Sequence, residues 1–174
     1  MAADVGLRAY PLSFRVNSAG FEVRVTAHRS LLSVLREDLG FTGPKEGCDD
    51  SECGACMVLL DGLPLNSCSY LALQCNGCAV TTVEGLAVGS KLHVLQQAIV
   101  DAGGVQCGFC TPGMLISAVA LLNRVREPDE LQVRHALAGN LCRCTGYQKI
   151  VQAVLSAAST LAAAPMSQRR ITGF

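Results

Sequence analysis

Cysteines are the residues best able to do chemistry in this chain, which has 10 of them among 174 residues. The first set follows the pattern C-x4-C-x2-C with a lone fourth cysteine after the triplet, which is typical of a plant-type [2Fe–2S] loop. Such a cluster needs four thiolates around two irons and two sulfides. Gly47 and Gly54 let the backbone approach the cluster, with its N–H groups directed at the sulfurs. The predicted ligands are Cys48, Cys53, Cys56 and Cys68.

Zinc is the alternative occupant of this first set, because four cysteine thiolates also suit a tetrahedral zinc ion. Zinc sites usually take their ligands from two short knuckles, each contributing a close pair. A triplet followed by one distant cysteine departs from that pattern. The spacing therefore favours an iron–sulfur cluster over zinc.

A second set combines a C-x2-C pair with a C-x-C pair 31 residues later, a spacing that leaves zinc open as an alternative. Thr111-Pro112 follows the first pair and Thr145 follows the second, so each pair is predicted to precede a helix N-terminus. Free N–H groups and the helix dipole stabilise an anionic cluster there. Ordinary capped helices with buried cysteines are the other interpretation, which two close pairs disfavour. The predicted ligands are Cys107, Cys110, Cys142 and Cys144.

The sequence context of the remaining cysteines and of the histidines predicts no metal site at any of them. Cys75 and Cys78 flank a tight-turn signal, Asn76-Gly77, and no further ligand is left for them, so they are interpreted as two thiols on a hairpin. Phosphate-binding loops, dinucleotide fingerprints and nucleophile elbows are all missing from the sequence, so no catalytic residue is predicted. The isolated histidines, interpreted as surface or core residues, are His28, His93 and His135.

The elements that must position the first set are predicted to form a mixed sheet with one helix. Apolar and polar residues alternate on both sides of two turn-rich stretches, which predicts two hairpins. Ser30 is expected to cap a helix that stops at Gly40. The predicted strands span residues 12–16, 21–25, 57–60, 63–68 and 79–83. This order predicts an α+β domain over residues 10–85.

From residue 86 the apolar residues follow a helical period, which predicts a small four-helix bundle over residues 86–162. Gly103-Gly104 is expected to end the first helix, and Pro128 to prevent continuation of the second. Residues 163–174 are predicted to form a C-terminal arm. The predicted caps of the four helices are Ser90, Thr111, Asp129 and Thr145.

Composition excludes several classes of protein. The formal net charge is zero, whereas a duplex nucleic-acid binder needs a basic surplus, so no nucleic-acid partner is predicted. No apolar run reaches the roughly 18 residues that a bilayer-spanning helix needs, so no transmembrane segment is predicted. The N-terminus shows no apolar stretch of the secretory type. Many cysteines without an export signal predict metal ligation in the cytoplasm rather than disulfides.

Three motifs around these cysteines also resemble those of a known family. They are KEGCDDSECGAC, QCGFCTPGM and GNLCRCTGY, in that order. They are similar to the iron–sulfur (small) subunit of the molybdenum hydroxylases, the xanthine dehydrogenase and aldehyde oxidase family, over about residues 12–160. The resemblance implies an α+β fold: a β-grasp, ferredoxin-like [2Fe–2S] domain followed by an all-α, four-helix [2Fe–2S] domain.

The resemblance implies partners and a function as well. A large molybdopterin (Mo) subunit and a medium FAD subunit would assemble with this chain into a dimer of heterotrimers. Electrons from carbon hydroxylation would leave the molybdenum centre and pass singly through both clusters to the flavin. The alternatives left open are a free-standing two-cluster ferredoxin and a zinc-stabilised interaction module. The substrate pocket would belong to the large subunit.

In this family the last cysteine of the CRC motif lies beside the pterin, and the glutamine before CGFC helps to hold it. The matching positions are Cys144 and Gln106. The Gln106 amide offers both donors and an acceptor, which suits a pterin edge. The alternative for Gln106 is a local role, capping Gly103-Gly104 or binding another loop.

Overall fold

A five-stranded sheet forms the first half of the chain in the computed structural model, which describes residues 8–164. Its order is β2-β1-β5-β3-β4, with β1 and β5 parallel and the other neighbouring strands antiparallel. This is the β-grasp arrangement that the family resemblance implied. The strands are β1 (Ala9–Val16), β2 (Ala19–Thr26), β3 (Met57–Leu60), β4 (Leu63–Asn66) and β5 (Ala79–Thr81).

The predicted first hairpin is confirmed, and its turn is tighter than the sequence indicated. Asn17 and Ser18 both have positive φ, 49° and 73°, as a two-residue hairpin turn requires. Gly20 therefore lies in β2 rather than in the turn. Alternate residues of β1, including Leu12 and Phe14, point into the core of this half.

The helix that covers this sheet begins and ends where the sequence predicts. The Ser30 hydroxyl accepts a hydrogen bond of 3.1 Å from the backbone N–H of Ser33. Helix α1 (Leu31–Ser33) continues as a π-helical turn, Val34–Asp38. Gly40 follows with φ of +77°, a conformation that glycine adopts without strain. The chain then enters the first cysteine loop.

Four helices form the second half, which confirms the predicted α+β class. Their buried faces share one apolar core, and Leu59 from β3 also belongs to it, so the sheet and the helices pack directly on each other. The Asp129 capping box with Gln132 is present as predicted. The helices are α2 (Val94–Asp101), α3 (Thr111–Arg124), α4 (Glu130–Leu137) and α5 (Gln148–Ala163).

The predicted cap of α2 is wrong. Ser90 lies in a turn, because Val88 and Lys91 exchange two backbone hydrogen bonds of 3.0 Å across it. The cap is His93, whose Nδ1 accepts from a backbone N–H at 3.1 Å, while Gln96 completes the capping box. Burial lowers the pKa of His93, which keeps the imidazole neutral and able to accept this bond.

The predicted caps of α3 and α5 are also wrong, because the cysteine loops take over both helix starts. Cys110 occupies the cap position of α3, and Thr111 is the first helical residue. The Thr145 hydroxyl lies 3.1 Å from the sulfur of Cys142 and accepts from the Tyr147 N–H at 3.3 Å, one residue ahead of α5. Helix α5 begins only after Tyr147, which has φ of +67°.

Helix α5 extends to Ala163, so the predicted C-terminal arm begins inside a helix, and its residues 165–174 lie outside the described residues. Within residues 8–164, no helix has both the length and the apolar character needed to cross a bilayer.

Candidate metal centres formed by the two cysteine sets

The first cysteine loop, between α1 and β3, folds back on itself around Cys48 and Cys53. The backbone N–H of Cys53 donates to the Cys48 sulfur at 3.3 Å. A Cβ at Gly47 would lie 2.8 Å from the Cys53 sulfur, so glycine leaves the room that this sulfur occupies. Asp49 and Ser51 have positive φ, 58° and 69°, which bends the loop tightly enough to bring its two ends together.

Cys56 and Cys68 form a second, buried pair at the base of the same loop. They pack together with Leu32, and the backbone N–H of Cys68 points at the Cys56 sulfur. The Ser67 hydroxyl donates to the Cys56 carbonyl at 2.7 Å and fixes the pair in place. Burial raises the pKa of the Cys56 thiol to about 12, so binding a metal here must displace a proton.

The second set lies where α3 begins and ahead of α5. The sulfurs of Cys107 and Cys144 are 3.6 Å apart at the surface. Cys110 is buried and lies against Cys142. Burial opposes ionisation of Cys142, but hydrogen bonds from the hydroxyl and N–H of Thr145 outweigh it and lower the pKa of Cys142 to about 7.

All eight cysteines are thus arranged as neighbouring pairs, two pairs in each set. Each iron of a [2Fe–2S] cluster takes two protein thiolates, so a set made of two thiol pairs has the donors that one such cluster needs. The individual ligand roles stay predictions.

The loops that carry the two sets contact each other, which the sequence alone did not reveal. The backbone N–H of Leu141, next to Cys142, donates to the Cys53 carbonyl at 2.9 Å. The Phe109 ring approaches Gly47, lying 3.4 Å from the position that a Cβ there would take. Sequence reasoning missed two parts of the site: Phe109, and Asn140, whose Nδ2 donates to the Gly54 carbonyl of the first loop at 2.9 Å. The only available signal was their position close to predicted ligands.

Gln106 and Cys144, the predicted pterin contacts, are both exposed. Within the described part of the chain, the Gln106 amide makes no hydrogen bond. A capping role at Gly103-Gly104 is not needed, because the N–H groups of Gly103 and Gly104 donate to backbone carbonyls at 2.9 and 2.8 Å. The Gln106 side chain is therefore available to a partner.

Cys75 and Cys78 belong to neither set. Cys75 ends a one-turn 3-10 helix, Ala72–Cys75, and accepts a backbone hydrogen bond of 2.9 Å from Cys78. The turn between them leads into β5, so the predicted hairpin is instead a helix-to-strand turn. Burial raises the pKa of the Cys75 thiol to about 12, as expected for an inert core thiol. His28 and His135 are exposed, as predicted.

Comparison with known families matches both halves of the chain. A family described as "2Fe-2S iron-sulfur cluster binding domain" matches residues 14–75. A second, described as "[2Fe-2S] binding domain", matches residues 82–155. Each match contains one complete set of four cysteines.

Two relatives and one solved structure match this chain over more than nine-tenths of their own length. The chain is 44% identical to the nicotinate dehydrogenase small FeS subunit of Eubacterium barkeri, over 82% of this chain and 91% of that protein. It is 46% identical to the xanthine dehydrogenase iron-sulfur-binding subunit of Escherichia coli O157:H7, over 83% and 92%. The crystal structure of quinoline 2-oxidoreductase from Pseudomonas putida 86 superposes with a TM-score of 0.86 at 41% identity, over 88% of this chain and 96% of that one.

Proposed function

The chain belongs to the family of iron–sulfur subunits of the molybdenum hydroxylases of the xanthine dehydrogenase and aldehyde oxidase type, and we propose on that basis that it relays single electrons between two partner subunits. It is an oxidoreductase subunit with two [2Fe–2S]-binding domains. The proposed donor is a molybdopterin centre on a large subunit and the acceptor is FAD on a medium subunit. The proposed assembly is a dimer of heterotrimers, and the proposed location is the cytoplasm.

One observation carries this proposal: two complete thiol sets are held against each other in one small chain. A [2Fe–2S] cluster exchanges one electron at a time, which suits a relay between a two-electron reaction and a flavin. The chain holds Cys53 and Leu141 at hydrogen-bond distance, 2.9 Å, and thereby fixes the separation of the two sets. The eight cysteines of the two predicted sets are the proposed ligands.

The second set is proposed to face the molybdopterin subunit. Its outer pair, Cys107 and Cys144, is exposed, and apolar residues close to the cysteines in sequence are exposed as well: Val105, Phe109 and Leu141, at 39%, 46% and 58%. Exposed apolar surface is typical of a protein interface. The zero net charge fits an interface that does not depend on salt-sensitive attraction. Gln106 and Cys144 would then contact the pterin.

Metal analysis tests the proposed clusters. The purified chain should contain about four irons and about four acid-labile sulfides, two of each per set. Its visible absorption should bleach on reduction, because reduced clusters absorb less. Stoichiometric zinc, or only two irons, would reject the assignment. Purification without two larger subunits would instead support a free-standing ferredoxin.

Gln106→Ala tests the proposed pterin contact. In the assembled enzyme we expect unchanged iron content, because the Gln106 amide makes no hydrogen bond to either cysteine set within the described residues. Cofactor occupancy of the large subunit should fall, or substrate-driven cluster reduction should slow by about tenfold. A loss of activity of this size is typical when a residue that supports a bound cofactor is removed. The measurements are molybdenum content and stopped-flow reduction. Gln97→Ala, an exposed amide on α2, is the control. Unchanged values for both measurements would remove Gln106 from the pterin site.

A further inference from the structure

Gly54, which lies between Cys53 and Cys56, sits in a cradle formed by the second half of the chain. Gly54 has φ of +68°, and a Cβ on it would lie 2.5 Å from the Asn140 amide nitrogen. A Cβ on Gly113, in the first turn of α3, would collide with the Gly54 carbonyl oxygen. The first cysteine loop is therefore inserted into the helical half, with no room for a side chain at either glycine.

Asn140 is the polar centre of this cradle and is only 2% exposed. Its Nδ2 donates to the Gly54 carbonyl at 2.9 Å, and its Oδ1 accepts from the Ser117 hydroxyl of α3 at 2.6 Å. Ser117 thereby fixes which end of the amide faces Gly54. A buried amide with both ends bonded has one orientation, so it can hold the loop in one place.

The bond from Asn140 acts on the turn that carries a predicted ligand. The Gly54 carbonyl also accepts the backbone N–H of Met57 at 3.2 Å, which closes the turn around Cys56. Removing the Asn140 amide takes one of two donors from that carbonyl and breaks the hydrogen-bonded link that runs from the turn through Asn140 to Ser117 of α3.

We propose that Asn140 is a positioning residue for the N-terminal cluster, although it lies two residues from Cys142 of the other set. It holds the turn from Cys53 to Cys56 in the conformation that binds iron. The N-terminal cluster therefore depends on a side chain of the C-terminal half. This inference rests on the ligand sets given under Proposed function.

The second set has its own supports, so the effect should be selective. The Cys142 N–H donates to the Tyr147 hydroxyl at 2.7 Å, and its sulfur accepts from the Thr145 N–H at 3.4 Å. Neither bond involves the Asn140 side chain. The C-terminal cluster should therefore tolerate loss of that amide.

The test compares Asn140→Ala with Asn123→Ala, an exposed asparagine also within the helical half. Iron release from the full-length protein to a chelator is followed in both. We expect Asn140→Ala to release one of its two iron pairs about 10- to 100-fold faster, the usual effect of losing an outer-shell partner. The affected EPR signal should be the one that Cys53→Ser removes. Asn123→Ala should match the parent.

Ser117→Ala keeps the inference testable if Asn140→Ala does not fold. Ser117→Ala removes the hydrogen bond that fixes the orientation of the Asn140 amide but keeps the amide itself. The midpoint potential of the N-terminal cluster should therefore shift, while that of the C-terminal cluster stays unchanged. A purely structural role of Asn140 would shift the midpoint potentials of both clusters or of neither. Equal acceleration of both iron pairs, or an effect confined to the C-terminal cluster, would overturn the inference. A parent protein without two clusters would overturn the proposed function itself.

Discussion

Cys53→Ser should remove the N-terminal cluster and leave the C-terminal cluster in place. The thiolate is the metal ligand, and serine cannot supply one. The loss should be confined because each predicted set lies within one half of the chain. The contact between the halves should survive, since Leu141 donates to the backbone carbonyl of Cys53, 2.9 Å away, which serine retains.

The measurement is iron content together with EPR spectra of the reduced protein. Iron should fall from about four to about two per chain, and one of two signals should disappear. Cys78→Ser is the matched control, because Cys78 belongs to neither set and should retain both signals. Loss of both signals in Cys53→Ser would show that the two sites do not assemble independently.

Gly113→Ala should destabilise the protein strongly, against the local expectation. Alanine is favoured over glycine inside a helix by about 1 kcal/mol, so α3 alone would gain from the change. The new Cβ, however, would come well under 3.0 Å from the Gly54 carbonyl oxygen. Backbone cannot rotate away as a side chain can, so we expect the upper end of the overpacking range, about 3 kcal/mol.

Thermal unfolding followed by circular dichroism measures this loss. For a chain of this size about 3 kcal/mol lowers Tm by about 6–12 °C. Gly139→Ala is the control, since a Cβ there meets no atom within 4 Å and the residue lies beside the same cradle. An unchanged or raised Tm for Gly113→Ala would show that the first cysteine loop yields to the methyl group.

Cys53→Ser tests whether each half supplies the ligands of its own cluster, whereas Gly113→Ala tests how the packing of one half depends on the other. A ligand change is expected to act within one half, because the thiols of a set come from that half. A packing change at Gly113 affects both halves, because the first cysteine loop packs directly against α3 at this residue. The two predicted [2Fe–2S] domains, 10–85 and 86–162, stay a prediction about which half supplies each set of ligands, and they do not imply that the halves are mechanically independent.

The sequence by itself determined the features that depend on near neighbours. Cysteine spacing predicted two sets of four, most specifically for the first, where three of the cysteines lie in one short loop. Turn residues predicted the position of the first hairpin. The Asp129 capping box formed as predicted, because its partner, Gln132, is only three residues away. The fold class followed from these local signals taken in order.

Tertiary structure alone decided the features that join distant parts of the chain. Gly54 and Asn140 are 86 residues apart, and no local pattern records that a carbonyl at one meets an amide at the other. The wrong caps have a related cause. Thr145 was predicted to cap α5, but in the folded loop its hydroxyl lies 3.1 Å from the Cys142 sulfur and accepts from the Tyr147 N–H at 3.3 Å, so α5 begins only at Gln148. Local hydrogen-bonding capacity is fixed by residue type, but packing chooses among the partners within reach.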